Sequence, residues 1–533
     1  MSRAQPKSSP MDRHARSIAA AIAKGRPPAL TPDLDLYLES SPREIFVAFE
    51  GVARHMPPGG NDEALALGYL FLLQQLLERL RYRTDRGYAD AARLIADFQA
   101  DVAARVEAGH LDGQMLTYVA GAALHQSKIP ASPELAKASA RQHVNDREGW
   151  PVPDDVHAAL AGLLEACGDD PFMLVGSLVE FGHAMPAENR GALAAGLALC
   201  GASATRGAAV LLLLDPDQVV RRAVAEALAT VASALSPTEV RRLVAMRNWR
   251  PEKERAEVDG IVRKARAAGV DCAQWEAGST ETILATAIDG AATQGFLLVS
   301  PAGRKKRISS ILTKGGVADA WSGEPESPRR IEAALVDSGM DAPMLAVSRS
   351  YLDRVLSHQL ALSVERGAAA PLGLLQVAET LGGVDWQPAR MDFDETLARL
   401  ITEIPEAMRG GTAVETVLRK SGELADLKVV AQSWFEDGPD IAQAIAGARA
   451  PNRAKVATYL LQSVIARHRD KWADLLLRTA LWMREAPLEL NLCWRELAIV
   501  AKALADGRDM AEIGLMRDIA QRTLAVLAND RRR

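Results

Sequence analysis

The stretch LLLLDPDQVVRRAVAEAL, Leu211 to Leu228, is where the architecture of this chain can first be read. Four leucines run into Asp215-Pro216-Asp217, and an Ala/Val/Leu stripe then resumes. Proline suits the start of a helix, because the N–H it lacks is one that a helix end leaves unbonded. An aspartate beside it supplies an oxygen for the remaining orphan N–H groups and favours the positive end of the helix dipole. The turn therefore separates two helices. Val224 and Leu228 fall on the buried stripe of the second helix, and Arg221 is long enough to reach a neighbouring turn. The same pattern stands 31 residues upstream, where Asn189-Arg-Gly-Ala-Leu-Ala-Ala-Gly-Leu-Ala overlays Val220-Arg-Arg-Ala-Val-Ala-Glu-Ala-Leu-Ala. Arg190 matches Arg221, and Leu197-Ala198 matches Leu228-Ala229. Self-similarity at this period signals stacked helix pairs, none of which covers its own apolar face alone.

The segment resembles the turn and second helix of a HEAT repeat, with Asp215 in the turn and Val220-Arg221 opening the helix. The preceding copy departs from the pattern, since Ala184-Met185-Pro186 stands where the Asp turn should be. The resemblance implies a structural ladder between neighbouring repeats, to which Asp215 and Arg221 would belong. The expected fold is mainly all-α: a HEAT-like, right-handed array of helix pairs over 151–290, a small antiparallel β insertion over 291–322, and a second helical block over 323–533. An N-terminal helical block is expected over 31–150, behind a disordered tail at 1–30. In that block Leu65, Tyr69, Leu72, Leu73, Leu76 and Leu80 keep one helical face, begun by Asn61 and Asp62. Leu94, Ile95, Phe98, Val102 and Val106 keep another, closed by Gly109.

Residues 294–321, QGFLLVSPAGRKKRISSILTKGGVADAW, break the helical pattern. Phe296–Val299 is a short apolar run between Gly295 and Ser300-Pro301-Ala302-Gly303, which reads as strand then loop. A second strand would run from Arg304-Lys305-Lys306-Arg307 to Thr313, and a third over 317–321. Ile308, Ile311 and Leu312 also fit a short helix capped by Gly315, so both forms stay open for 304–313. The four cations are the candidate partner-binding residues. They suit phosphates or an acidic protein surface, and equally a solvated hairpin tip that protects a strand edge. No aromatic side chains interleave them to stack bases.

The rest of the chain excludes more chemistry than it offers. A net charge of -5 and 25% charged residues give no general attraction to nucleic acid or acidic lipid. Aromatics are only 5%, so aliphatic packing carries the core. The four cysteines lie far apart in sequence, which suits free thiols in a reducing compartment. The apolar run over 64–73 is far short of the ~20 residues of a membrane span. No phosphate loop, dinucleotide-binding fingerprint, zinc-protease motif or nucleophile elbow occurs. Asp392, Asp394 and Glu395 read as a helix start rather than a metal site. Trp386, Trp434, Trp472, Trp482 and Trp494 read as core, and His358 as a satisfied semi-buried side chain. The charged stretch Arg241–Arg266, diluted by Glu252, Glu254, Glu257 and Asp259, reads as solvent-facing helix. No catalytic, metal or cofactor residue is assigned, and no cofactor is expected. The expected function is that of a cytoplasmic, non-catalytic scaffold that binds a protein partner. The alternative is a nucleic-acid binder or helical-repeat enzyme using the 304–307 hairpin beside a groove.

Overall fold

In the computed structural model, residues 9–26, 28–55, 63–111, 123–124, 126–138, 167–168, 170–182, 187–276, 278–337, 343–384, 386–447, 452–490 and 492–530 are described. The expected caps Asn61 and Asp62, the Ala184–Pro186 turn, Asp385 and most of 112–166 lie outside these residues. The chain forms two compact units, Met1–Leu193 with Arg532–Arg533, and Ala194–Arg531. It is mainly helical, with one small antiparallel sheet.

The first unit contains helices α1 (Pro10–Ile22), α2 (Pro32–Ser40), α3 (Ile45–His55), α4 (Glu63–Asp85), α5 (Ala89–Glu107) and α6 (Pro171–Gly182). The tail expected to be disordered holds α1. Ser9 and Asp12 cap it reciprocally, at 3.1 Å in each direction. Its buried face, Met11, Ala15, Ile18 and Ala19, then packs on α4. Composition hid this helix, because its other face is rich in Arg and Ser. Gly68 permits the contact, since a Cβ there would strike the Ala15 carbonyl. The α4 stripe is buried as expected, and Phe49 and Phe98 meet edge-on at 5.6 Å in the same core. Gly109 closes α5 with φ +70°.

Helix α7 (Ala187–Leu199) precedes α8 (Ser203–Leu212), α9 (Gln218–Thr230), α10 (Pro237–Met246) and α11 (Arg255–Ala267). Helices α7 and α9 begin 31 residues apart (218 minus 187), the offset of the sequence repeat. In the second unit α8 packs on α9 and α10, while α9 and α10 each pack on α11. Val224 and Leu228 are fully buried between them. Helix α9 starts after the proline, capped by Asp217, whose Oδ1 accepts from Val219 N at 2.8 Å. Asp215 acts one step earlier, accepting from Asp217 N at 2.7 Å.

The β element is larger than expected. Five strands, β1 (Thr282–Thr286), β2 (Thr293–Ala302), β3 (Lys305–Lys314), β4 (Val317–Ser322) and β5 (Met344–Ala346), take the order β4-β3-β2-β1-β5. All pairings are antiparallel. Residues 305–314 are therefore strand, and the helical alternative is excluded. The Ile308/Ile311/Leu312 spacing misled because only Ile311 points to the core, at 0% exposure, whereas Leu312 faces outward. β1 and β5 escaped the reading, since one strand follows a polar loop and the other has only three residues.

Helix α12 (Pro328–Asp337) touches β3. Helix α13 (Arg349–Glu365) touches β4, as does α14 (Gly373–Thr380), which rests on it so closely that a Cβ at Gly373 would collide with the Ala320 carbonyl. The remaining helices are α15 (Phe393–Thr402), α16 (Gly411–Lys420), α17 (Pro439–Gly447), α18 (Arg453–Ser463), α19 (Arg469–Arg484), α20 (Trp494–Ala505) and α21 (Gly514–Asp530). Asp392 caps α15 by accepting from Glu395 N at 2.8 Å, so the acidic run is a helix start. On α18 the buried face is Ala457, Leu460 and Leu461, while Tyr459 is exposed.

Trp386, Trp434, Trp472, Trp482 and Trp494 are buried, whereas Trp321 is exposed, and the indole N–H groups of the first four find partners. Trp434 donates to Ile288 O at 2.9 Å and Trp482 to Ala285 O at 3.0 Å, which fastens the C-terminal helices to the sheet. Trp472 donates to Glu436 Oε1 at 2.8 Å. His358 is buried, and its Nδ1 accepts from Met391 N at 3.1 Å. Burial, aided by the nearby Arg478 charge, holds its pKa down at about 4. An unfolded histidine takes up its proton near 6.5. Stability should therefore fall as pH drops from that value toward 4, because the unfolded state binds the extra proton. Equilibrium denaturation at stepped pH should show this loss, on the order of 2–3 kcal/mol, reduced in His358→Gln.

Next to it, Gln359 is fully buried, and neither end of its amide has a hydrogen-bond partner among the described residues. Gln359→Leu should raise stability by roughly 1–3 kcal/mol by removing that desolvated amide. A urea midpoint no higher than that of the native chain would contradict this assignment.

Candidate partner-binding surfaces

The cations 304–307 lie on one projecting ribbon. β2 pairs with β1 only over 296–299, and β3 pairs with β4 only over 309–313, whereas β2 and β3 pair with each other along ten residues. The part from Ser300 to Arg307 therefore extends beyond its neighbouring strands. Arg304 lies in the tight turn with Gly303, whose φ is +64°, and both Arg304 and Lys305 are exposed. Lys306 is drawn back. Its Nζ meets Glu281 at 2.6 Å, its backbone bridges to Glu326, and the Glu281 bond raises its pKa. The Nε of Arg307 is buried without a partner among the described residues. The run of four is thus two outward cations, one neutralised lysine and one half-buried arginine.

Arg221 and Asp215 occupy a different place, inside the helical stack. Arg221 Nη1 donates to the carbonyls of Asp215 and Pro216 at 2.7 and 2.8 Å. Its Nε and Nη2 grip Glu254 at 2.8 Å each, a two-pronged bond between residues 33 apart. Arg250 joins Glu254 at 3.0 Å and Glu257 at 3.4 Å. Arg221, Arg250 and Glu254 are all buried. Desolvation alone would push the Glu254 carboxyl up, but the bond and charge of Arg221, then those of Arg250, outweigh it and set its pKa below 4.5. Burial depresses the Arg250 guanidinium.

The reading of 241–266 as solvent-facing helix is overturned here, because Arg241, Arg242, Arg250 and Glu254 are buried. Arg241 and Arg242 both bind Glu379 of α14, at 2.9 and 2.7 Å. Their long stems cover apolar surface while each charged end finds a carboxylate. Glu254, Arg250 and Glu379 carried no local signal. Glu379 lies more than a hundred residues from its partners. The lone usable hint was spacing: a Glu about one repeat after an Arg that already matched a repeat pattern.

Among the described residues, no cluster of three His, Cys, Asp or Glu side chains is placed to hold a metal ion. No described helix is long and apolar enough to cross a membrane. The four cysteines are free, with Cys493 buried and its thiol pushed up by burial.

Fold and surfaces together define a mainly helical protein with an inserted antiparallel meander. Comparison by sequence adds two partial matches. The family model described as the Y4lR second domain matches residues 186–269, and that of the Y4lR C-terminal helical domain matches 394–528. The sheet and helices α12 to α14 fall between the two matched segments. No curated protein matches the chain, and no solved structure does.

Proposed function

We propose that this protein is a non-catalytic scaffold or adaptor that holds a protein partner against a surface of HEAT-like stacked helix pairs. The observation that carries the reading is the Arg221–Glu254 bond, with α8 against α10 and α9 against α11. First helix on first helix and second on second is how a right-handed repeat array grows, and such arrays present extended binding faces. The ladder role of Asp215 and Arg221 follows from the same arrangement. Val219 on α9 and Val244 on α10 are 45% and 49% exposed and supply apolar contact area, one on each of the two helix layers. A cytoplasmic location belongs to this reading, as do free thiols and a soluble partner.

The test places a photo-crosslinking amino acid at Val219 or Val244 in the native host and identifies the captured product by mass spectrometry. One protein, captured from one of the two positions and lost on the glutamate substitution there (Val219→Glu or Val244→Glu), is the expected result. Capture of no protein at either position would sink the scaffold reading.

The ribbon gives a second reading, supported by the exposed Arg304 and Lys305. It could insert beside a groove and contact nucleic-acid phosphates. In that case binding falls with salt, and removing both cations lowers the log–log salt slope by about 2. A salt-independent interaction, or an unchanged slope in the double alanine variant, removes this reading.

A further inference from the structure

The second unit contains a cavity of about 650 Å³ away from the ribbon, within the ~300–1,000 Å³ range of small-molecule sites. Three separate stretches build it: α10 with the end of α11, the loop 271–275, and the segment 384–387. A dimple on one helix would not draw on such distant residues.

The walls are held in place. The Arg241 guanidinium stacks on the Trp275 ring at 4.7 Å, and also donates to Gln274 O at 3.0 Å and to Glu379 at 2.9 Å. Trp386 is 1% exposed, with its Nε1 on Asp353 Oδ1 at 2.7 Å. Fixed aromatic and guanidinium groups bind with little ordering cost. Two features look unfinished. Arg241 is 7% exposed, yet its Nε is buried without a partner. Arg266 and Asp271 also line the cavity, both exposed and neither paired among the described residues.

We infer that this cavity binds a monoanionic carboxylate carried on a planar aromatic group. Arg241 already has Glu379 as its counter-ion, so it is the exposed Arg266 that calls for an anion, and it can take a carboxylate on both prongs. The Trp275 indole, only half-buried, offers a flat apolar wall to a ring. Asp271 sets the charge limit, because a carboxylate in the lining repels a dianion such as a phosphate monoester more than it repels a monoanion. The neutral analogue leaves Arg266 without its partner. The carboxylate can come from a free small molecule or from the aromatic C-terminal residue of a peptide, and the chemistry is the same for both. The inference does not depend on the scaffold reading.

Titration calorimetry on the full chain tests it with matched probes: 2-naphthoate, 2-naphthamide and 2-naphthyl phosphate. The expected order is naphthoate tightest, with a Kd below about 1 mM. Arg266→Ala should weaken naphthoate about tenfold, the loss of one charge-assisted contact. Val244→Trp, at an exposed lining position, should abolish binding by filling the space. A peptide ending in a free Phe carboxylate, set against its C-terminal amide, separates the sources. Tighter binding of the free-acid peptide than of naphthoate assigns the site to a chain terminus, and weaker binding assigns it to a small molecule. No heat with naphthoate up to about 5 mM, or equal affinity in native and Arg266→Ala protein, overturns the inference.

Discussion

Arg221→Ala should destabilise the second unit by about 3–5 kcal/mol, the range for breaking a buried ion pair and leaving the other charge uncompensated. The geometry justifies the upper part of the scale. Arg221 closes four hydrogen bonds, two to the turn before its own helix and two to Glu254. Truncation strands the Glu254 carboxylate with Arg250 alone, and takes the Arg221 donor from the buried Asp215 carbonyl. Urea denaturation of the full chain reports the loss, and hydrogen exchange should localise it to α9 and α11. Arg221→Lys should recover only part, since an ammonium cannot grip both carboxylate oxygens in the plane of a guanidinium. The bond also has a pH signature. Glu254 has a lowered pKa in the folded chain, so its contribution is complete above the ordinary glutamate range and fades as pH falls through the folded-state value. The gap between native protein and Glu254→Gln should therefore narrow in acid. A gap that stays constant down to unfolding would show that the pair does not carry the stack.

Gly373→Ala is the second large effect, at about 3 kcal/mol or more. A methyl group there meets the backbone carbonyl of Ala320, not the yielding end of a side chain. Either α14 lifts from β4 or the strand shifts, and both movements disturb Glu379, which anchors Arg241 and Arg242. The same variant should therefore weaken naphthoate binding in the cavity as well as lower the urea midpoint. A midpoint within experimental error of the native value would show that the helix can slide without cost.

What the residues disclosed in advance follows from the range over which each signal acts. Helical stripes act over three or four positions, so the Leu65–Leu80 stripe and the Val224/Leu228 pair could be read directly, and all these positions are buried. Turn chemistry is equally local, which is why Gly109 and Asp392 behave as expected. The sheet was half legible. β2 and β3 join through a tight turn and read as a hairpin, whereas β5 gains its identity only by pairing with β1, about sixty residues earlier. Charge was the least legible property. Arg241, Arg242 and Arg250 look like any exposed helical arginine until a distant carboxylate and a tryptophan face close over them. The cavity was invisible for the same reason, since its three lining stretches meet only after the unit has folded.

The tie between Trp482 and Ala285 spans 197 residues. A ribosome finishes the β-meander long before it reaches α19. At about 5–20 residues per second, the finished sheet waits roughly 7–27 s for the helix that ties it down. Over that interval the Ala285 and Ile288 carbonyls stand without the indoles that bind them, so this edge of the sheet is finished only when the C-terminal segments emerge.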